Sequence, residues 1–345
     1  MAALSDQLLV AAILAYLVAM MCYAAEYAFG DRGAVARVAA GRVRAADASR
    51  SAELVGAGGP PVSSSLDSAP VPPLDSATPV AAPDRRSLWA PRFGFAAVLI
   101  TGLGTLLHAG CLVARGFAAH RVPWGNGYEF VIAVTLVASI AWMGLVLRRP
   151  SARPIGLIVT LVFVVLLGVD GMVFYSAVEP LVPALNSYWL KIHVTLAITA
   201  SGTLLVGFAA AALYLIRAGY DKREAEGAPI GFPFTLGERL PVGDNLERLT
   251  FRIHAFAFPI WTLAIMCGAI WAESAWGRYW GWDPKETWSF IAWVIYAGYL
   301  HARATPSVKK TTATWIAVAG WTAMIVNLFL VNLVVSGLHS YAGMK

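Results

Sequence analysis

The sequence predicts an all-α fold, a polytopic transmembrane helical bundle of about eight spans with both termini outside. Two features of the composition predict this fold. Hydrophobic residues make up 58% of the chain, and charged residues make up only 13%, against about 25% in soluble domains. A third is the presence of seven or eight apolar runs of about 18 or more residues, each long enough to cross a bilayer core as a helix. The runs lie at about 7–29, 93–114, 128–147, 154–174, 190–216, 253–273, 286–302 and 312–336.

The formal net charge of +6 does not indicate a nucleic-acid partner, because membrane topology accounts for it. With both termini outside, roughly 20 of the Lys and Arg residues fall in inner segments, as the positive-inside rule requires. The three cysteines lie inside predicted spans and form no C-x-x-C pair. This pattern argues against a thiol–disulfide exchange enzyme and against a zinc site.

The chain divides into three predicted regions. Residues 1–30 form a first transmembrane helix, which is not a cleaved signal because it has no basic region before it and no A-x-A site after it. Residues 31–90 are rich in Pro, Ala and Ser and are predicted to be a disordered cytoplasmic linker. Residues 91–345 form the membrane domain, which carries an outer tryptophan-rich segment, 271–288.

This segment is the densest aromatic stretch of the chain, and two interpretations of it stay open. Two glycines allow the backbone to turn among large rings, which would give a flat apolar shelf for a planar ligand. Arg278 and Lys285 could pair with carboxylates of such a ligand. The alternative is an interfacial packing loop of the kind found at membrane surfaces. The segment reads Trp276-Gly277-Arg278-Tyr279-Trp280-Gly281-Trp282-Asp283-Pro284-Lys285-Glu286-Thr287-Trp288.

The end of this segment has the pattern of a helix start. Asp283 is a good N-cap, Pro284 suits the first helical position, and Glu286 stands three residues after the cap. The seventh span is therefore expected to begin at about Pro284. Two interpretations of Asp283 therefore stay open: it caps this helix, or it belongs to a ligand site.

The sequence resembles the CcsA/ResC family of cytochrome c biogenesis proteins (system II), called CcsB in some bacteria, which carries a tryptophan-rich "WWD" signature. The resemblance covers about residues 93–345. The signature is Trp276-Gly277-x-x-Trp280-x-Trp282-Asp283. Family-like runs are Pro284-Lys285-Glu286-Thr287-Trp288, Tyr299-Leu300-His301-x-Arg303, Asn126-Gly127-Tyr128-Glu129, Val331-Asn332 and Gly337-Leu338-His339-Ser340-Tyr341-Ala342.

The resemblance implies a function in cytochrome c maturation. The protein would bind haem b, deliver it to the outer face of a bacterial plasma membrane, and present it for covalent attachment to the CxxCH motif of apocytochrome c. Its partner would be a ResB-type membrane protein, so that it is a component of a haem lyase and not a self-sufficient enzyme. Two alternatives stay open: a haem exporter or carrier of the system I type, and a transporter or electron-transfer subunit for another planar ligand such as a quinone.

Two histidines converge on the predicted outer face with the tryptophan-rich segment. His193 lies at the start of the fifth span and His339 just past the eighth, and two neutral imidazoles can fill both axial positions of a haem iron. The resemblance implies this ligation. It also implies a second haem within the membrane at His301, roughly 20 Å deeper at 1.5 Å per residue, with its other ligand on the partner. His254 is at similar depth and is an alternative second ligand.

Overall fold

The computed structural model describes residues 1–29, 89–179, 186–335 and 337–339. The described chain is helical throughout its spans, in agreement with the predicted all-α class. The helices are α1 Ala2–Phe29, α2 Ala90–Ala119, α3 Gly127–Arg148, α4 Gly156–Val173, α5 Tyr188–Ala225, α6 Gly243–Trp276, α7 Pro284–Ala304, α8 Lys310–Ile325 and α9 Val331–Val334. Almost the whole predicted linker 31–90 lies outside the described residues.

Each predicted apolar run coincides with a helix, and most helices extend beyond the run. The extension is largest for α5 and α6, which carry polar turns past the apolar stretch at the end away from the tryptophan-rich segment. A 3₁₀ turn, Pro150–Ile155, leads into α4, and a π-helical turn, Val326–Leu330, joins α8 to α9. The last predicted span is thus continuous but locally underwound, and single π turns of this kind are frequent near functional sites.

Among the described residues, seven helices are long and apolar enough to cross a membrane by length and composition, where the sequence predicts about eight spans. The exception is α7, which holds the predicted span 286–302. Its contacts nevertheless place its ends at opposite ends of the bundle, because Arg303 pairs with Glu247 near the start of α6 and Asp283 binds the Leu338 N–H beyond α9. We therefore treat α7 as a helix that runs the length of the bundle between its neighbours.

The helices pack in two groups around one apolar core. α1 lies against α2 and α4, while α5 and α6 form a long pair that also contacts α3 and α8. Close approach of α3 and α5 depends on Gly202, because a Cβ there would lie 2.6 Å from the Val134 carbonyl oxygen. Many large apolar side chains face outward, among them Leu106 at 73% exposure. This outward apolar surface is what an integral membrane protein presents to lipid.

Candidate functional site

His193 lies near the start of α5 and is held by α6. Its Nδ1 is 2.7 Å from the Ala264 carbonyl oxygen. Because a carbonyl oxygen only accepts, Nδ1 donates the hydrogen and the neutral ring has its lone pair on Nε2. A Cβ on Gly268 would lie 2.7 Å from the His193 ring, so glycine is needed here for the imidazole to fit between the helices.

His339 is held in the same way by a carboxylate. Its Nδ1 is 2.8 Å from Asp283 Oδ2, and the Leu338 N–H donates to Asp283 Oδ1 at 2.7 Å. A Cβ on Gly337 would lie 2.7 Å from that oxygen, so this residue must be small. Metal-ligating histidines usually donate their second ring N–H to a carbonyl or carboxylate, and both histidines have this arrangement.

Asp283 caps α7 and also forms a hydrogen bond with the His339 ring. Its Oδ2 accepts from the Lys285 N–H at 3.2 Å, and the Glu286 carboxylate accepts from the Asp283 N–H at 3.1 Å, which confirms the predicted capping box. Burial raises the pKa of the Asp283 carboxyl, but the hydrogen bonds from His339 and two backbone N–H groups outweigh it and hold that pKa below its usual range. The carboxylate is therefore ionised when it accepts from His339.

Two tryptophans surround the His339 ring. The Trp276 ring centroid is 5.1 Å from that of His339 at an interplanar angle of 73°, and the Trp271 centroid is 6.2 Å away. The two indoles meet edge to face at 4.8 Å. Gly277 makes this possible, because it ends α6 in the left-handed conformation with φ 70°, which a glycine adopts without strain.

The rest of the tryptophan-rich segment divides between the inside and the outside of the site. Trp280 lines the cavity between the histidines. Trp282 is 65% exposed and makes an edge-to-face contact with Trp280 at 5.8 Å. Arg278 is also not among the cavity-lining residues, because its side chain lies over Gly281. Of the residues of this segment that the sequence predicts to bind a ligand, Trp282, Arg278, Gly277 and Asp283 are therefore not among the cavity-lining residues.

The cavity itself lies between α3, α5, α6, α7 and α8 and contains about 1430 Å³ of atom-free space, part of it open to solvent. His193 and His339 both line it, with Trp276 and Trp280 on one side and Trp261 and Trp321 deeper in the bundle. Flat apolar walls suit a planar macrocycle. Both imidazoles line this one cavity.

A charged network holds one wall of the cavity. The loop between α2 and α3 lines the cavity with Trp124 and Asn126, and Asn126 Oδ1 caps α3 by accepting from the Glu129 N–H at 2.8 Å. The fully buried Glu129 carboxylate accepts from Arg115 at 2.9 Å and from Arg121 at 2.6 Å. The family-like run around Asn126 therefore has a structural basis: it ties this loop to the buried ends of α2 and α3.

His301 lies apart from the other two histidines. It is exposed in the last turn of α7, at the end of the bundle opposite to His193 and His339. His254 is buried against Tyr296 and Tyr299, with ring centroids 5.5 and 4.9 Å away. The structure thus does not bring His254 and His301 together, since His254 is buried inside the bundle and His301 is exposed on its surface.

Several lining residues are not among those that the sequence predicts to bind a ligand. Trp271 belongs to the tryptophan-rich segment, so its aromatic density was a signal for it. Trp124 stands next to the family-like run at Asn126. Gly268 carries no signal at all, because a glycine within an apolar run looks like any other small residue until the partner helix is in place. Lys285 was noted only as a possible carboxylate partner, and it lines the cavity.

Comparison with known proteins shows the family to which the chain is similar. The sequence model of the family described as "Cytochrome C assembly protein" matches residues 123–339. The chain is similar to proteins named "Cytochrome c biogenesis protein CcsA", with 31% identity to that of Picosynechococcus sp. over 70% of this chain and 88% of the relative. It is 29% identical to that of Gloeothece citriformis over 69% and 85%. It is 40% identical to that of Guillardia theta over 47% of this chain and 56% of the relative.

Proposed function

Because the chain belongs to the CcsA family of cytochrome c biogenesis proteins, we propose that it binds haem b in the cavity with His193 and His339 as axial ligands. The observation that carries this proposal is the pair of anchored imidazoles. His193 Nδ1 donates a hydrogen bond to the Ala264 carbonyl oxygen, and His339 Nδ1 donates one to the Asp283 carboxylate. In both rings Nε2 is then the nitrogen with a lone pair for iron.

The chain supplies position, and the substrates supply the reacting groups. Haem carries two vinyl groups, and apocytochrome c carries the two cysteine thiols of CxxCH that add across them to form thioethers. The proposal needs no nucleophile from this chain, because ligation at two fixed points holds the ring plane and the open side of the cavity leaves an edge accessible. Trp276 and Trp280 exclude water from the ring faces.

The proposal includes a second haem contact at His301 and a ResB-type partner. His301 is exposed on α7, so its ring is accessible to a ligand that is shared with another membrane protein. We propose that haem is first ligated there with a partner residue, reaches the cavity at the extracytoplasmic face of a bacterial plasma membrane, and is attached to apocytochrome c. The complex acts as a haem lyase, of which this chain is one component.

The test is visible spectroscopy of the chain purified with its ResB-type partner. The unmodified complex is expected to show six-coordinate, low-spin haem. His193→Ala and His339→Ala are each expected to lose the low-spin signal of the haem in the cavity and to keep that of the haem at His301. Added imidazole should restore the lost signal by filling the vacated axial position. His120→Ala is the matched control, since this exposed histidine ends α2 and should leave the spectrum unchanged.

Some outcomes favour other functions. If His339→Ala leaves both the spectrum and cytochrome c maturation intact, the axial assignment is wrong. If the complex binds haem but passes it to a chaperone and does not mature a reporter cytochrome c, a system I type carrier is favoured. A protein that is fully active without haem would indicate another planar ligand, such as a quinone.

A further inference from the structure

Among the described residues, Lys285 is the one lysine or arginine that lines the cavity. Of the described lining residues, only Lys285 and Glu286 carry a formal charge apart from the histidines. The Glu286 carboxylate is engaged, because its Oε2 accepts from the Gly281 N–H at 2.8 Å and from the Asp283 N–H at 3.1 Å. The acidic residue next to Lys285 in the sequence, Glu286, is therefore already used for helix capping.

No ion pair among the described residues involves Lys285. Asp283 is near in sequence, but its two oxygens accept from His339, from the Leu338 N–H and from the backbone N–H of Lys285 itself. The Lys285 side chain therefore lines a cavity with many apolar residues and has no ion-pair partner among the described residues. A charge in such surroundings is costly unless an anion joins it, and low polarity strengthens its attraction to one.

We propose that Lys285 binds a carboxylate of the tetrapyrrole, a propionate, and thereby sets which edge of the ring faces out of the cavity. This inference rests on the proposed function. Two axial imidazoles fix the iron and the plane of the ring, but they leave the ring free to rotate about the axis that joins them. One contact at the periphery removes this freedom. Because the vinyl groups lie away from the propionates, anchoring a propionate at Lys285 directs the vinyl edge elsewhere.

Arg278 provides a matched comparison for this assignment. It lies seven residues before Lys285 and carries the same charge, and from the sequence both side chains could pair with carboxylates of a ligand. Its guanidinium group occupies the space that a Cβ on Gly281 would need, and it does not line the cavity. The structure thus separates the two cations by position, so that a general effect of positive charge in this loop can be distinguished from a specific contact.

The experiment compares two ligands that differ only at the carboxylates. Haem and haem dimethyl ester have the same iron and the same vinyl groups, but the ester has no negative charge. We expect the unmodified protein, with its partner, to bind haem about tenfold or more tightly than the ester. Lys285→Met should reduce the affinity for haem by a similar factor and leave that for the ester unchanged. Arg278→Met should change neither, and Lys285→Arg should keep the preference.

Each other result overturns the proposal. If the unmodified protein binds haem and its ester with equal affinity, the carboxylate contact is excluded. This comparison needs no variant, so the conclusion does not depend on folding of Lys285→Met. An equal loss for both ligands in Lys285→Met would mean that Lys285 stabilises the cavity and does not read the carboxylate. Failure of the unmodified protein to bind either ligand would contradict the proposed function as well, which separates the two cases.

Discussion

Asp283 links helix formation and ligand orientation in one side chain. It caps α7 through the Lys285 N–H and holds the His339 ring from 56 residues away. A carboxylate is suited to both tasks, because it accepts several hydrogen bonds and attracts the positive end of the α7 dipole. The closing segment after α9 is thereby tied to the helix that follows the tryptophan-rich loop, and the two parts of the site are positioned together.

Asp283→Asn tests this link at the level of one residue. Asparagine is also a good N-cap, so α7 should still form and the protein should remain folded. The hydrogen bond to His339 becomes weaker because the acceptor loses its charge, and losing such a partner typically lowers metal affinity about 10- to 100-fold. Titration with haem, followed by its low-spin absorption, measures the change.

The matched control is Glu286→Gln, which alters the other half of the same capping box. The Glu286 carboxylate accepts from the backbone N–H groups of Gly281 and Asp283, whereas Asp283 is the residue hydrogen-bonded to the His339 ring. Glu286→Gln should lower the unfolding temperature with a much smaller effect on haem affinity. If Asp283→Asn binds haem as tightly as the unmodified protein, the orienting role of Asp283 is excluded.

At the scale of elements, α7 is the helix whose placement most needs explanation, since it is the least apolar of the spans. Its start is fixed by Asp283, and its end by Arg303, which pairs with Glu247 of α6. Glu247 is almost fully buried, at 2% side-chain exposure, whereas Arg303 is 29% exposed. Polar anchors at both ends thus take over part of the positioning that apolar packing performs in the other helices.

Arg303→Gln is expected to destabilise the bundle, because it leaves the Glu247 carboxylate buried without its cation. Breaking a buried pair in this way costs about 3 kcal/mol or more. Lys310→Gln is the control, since the Lys310–Asp244 pair connects the same end of the bundle at 2.8 Å but is 48% and 60% exposed, and such pairs contribute at most about 1 kcal/mol. Thermal unfolding in detergent compares them, and equal shifts would contradict the assignment.

At the scale of the whole molecule, the site is made at one end of the bundle by segments that are far apart in the chain. The start of α5, the end of α6, the start of α7 and the residues after α9 meet there, and α2–α3 closes one side. Antiparallel packing of consecutive helices brings alternate connections to the same end. A cavity lined by His193 of α5 and by His339 beyond α9 therefore forms only when the entire bundle is assembled.

The orientation of this end is the prediction that belongs to this scale. The positive-inside rule places the tryptophan-rich segment outside and the α7–α8 connection inside. In a variant without the native cysteines, Tyr279→Cys should react with a membrane-impermeant maleimide in intact cells, and Ser307→Cys only after permeabilisation. Both positions are exposed, so access of the reagent is equal. The opposite pattern would reverse the topology and with it the proposed direction of haem delivery.

The fold was predictable from composition to a large extent, and the exception is instructive. Apolar runs long enough for a bilayer must be helices, because lipid offers no partner for backbone groups, and every predicted run is a helix. The seventh span is a helix but falls below the apolar criterion, because aromatic and polar side chains such as Trp288 and Ser289 face neighbouring helices and the cavity. Composition alone cannot distinguish such a helix from an interfacial one.

The amino-acid sequence by itself determined the helical membrane class and the cap that starts α7. It also determined the number of spans between His193, His339 and the tryptophan-rich segment, which puts all three at one end of the bundle. These follow from local hydrogen bonding and from the solvent that the bilayer imposes. Only the tertiary structure decided which side chains face the cavity: Lys285 and not Arg278, Trp280 and not Trp282. The rotation of a helix and the path of a loop depend on contacts with segments tens of residues away, and no local pattern contains them.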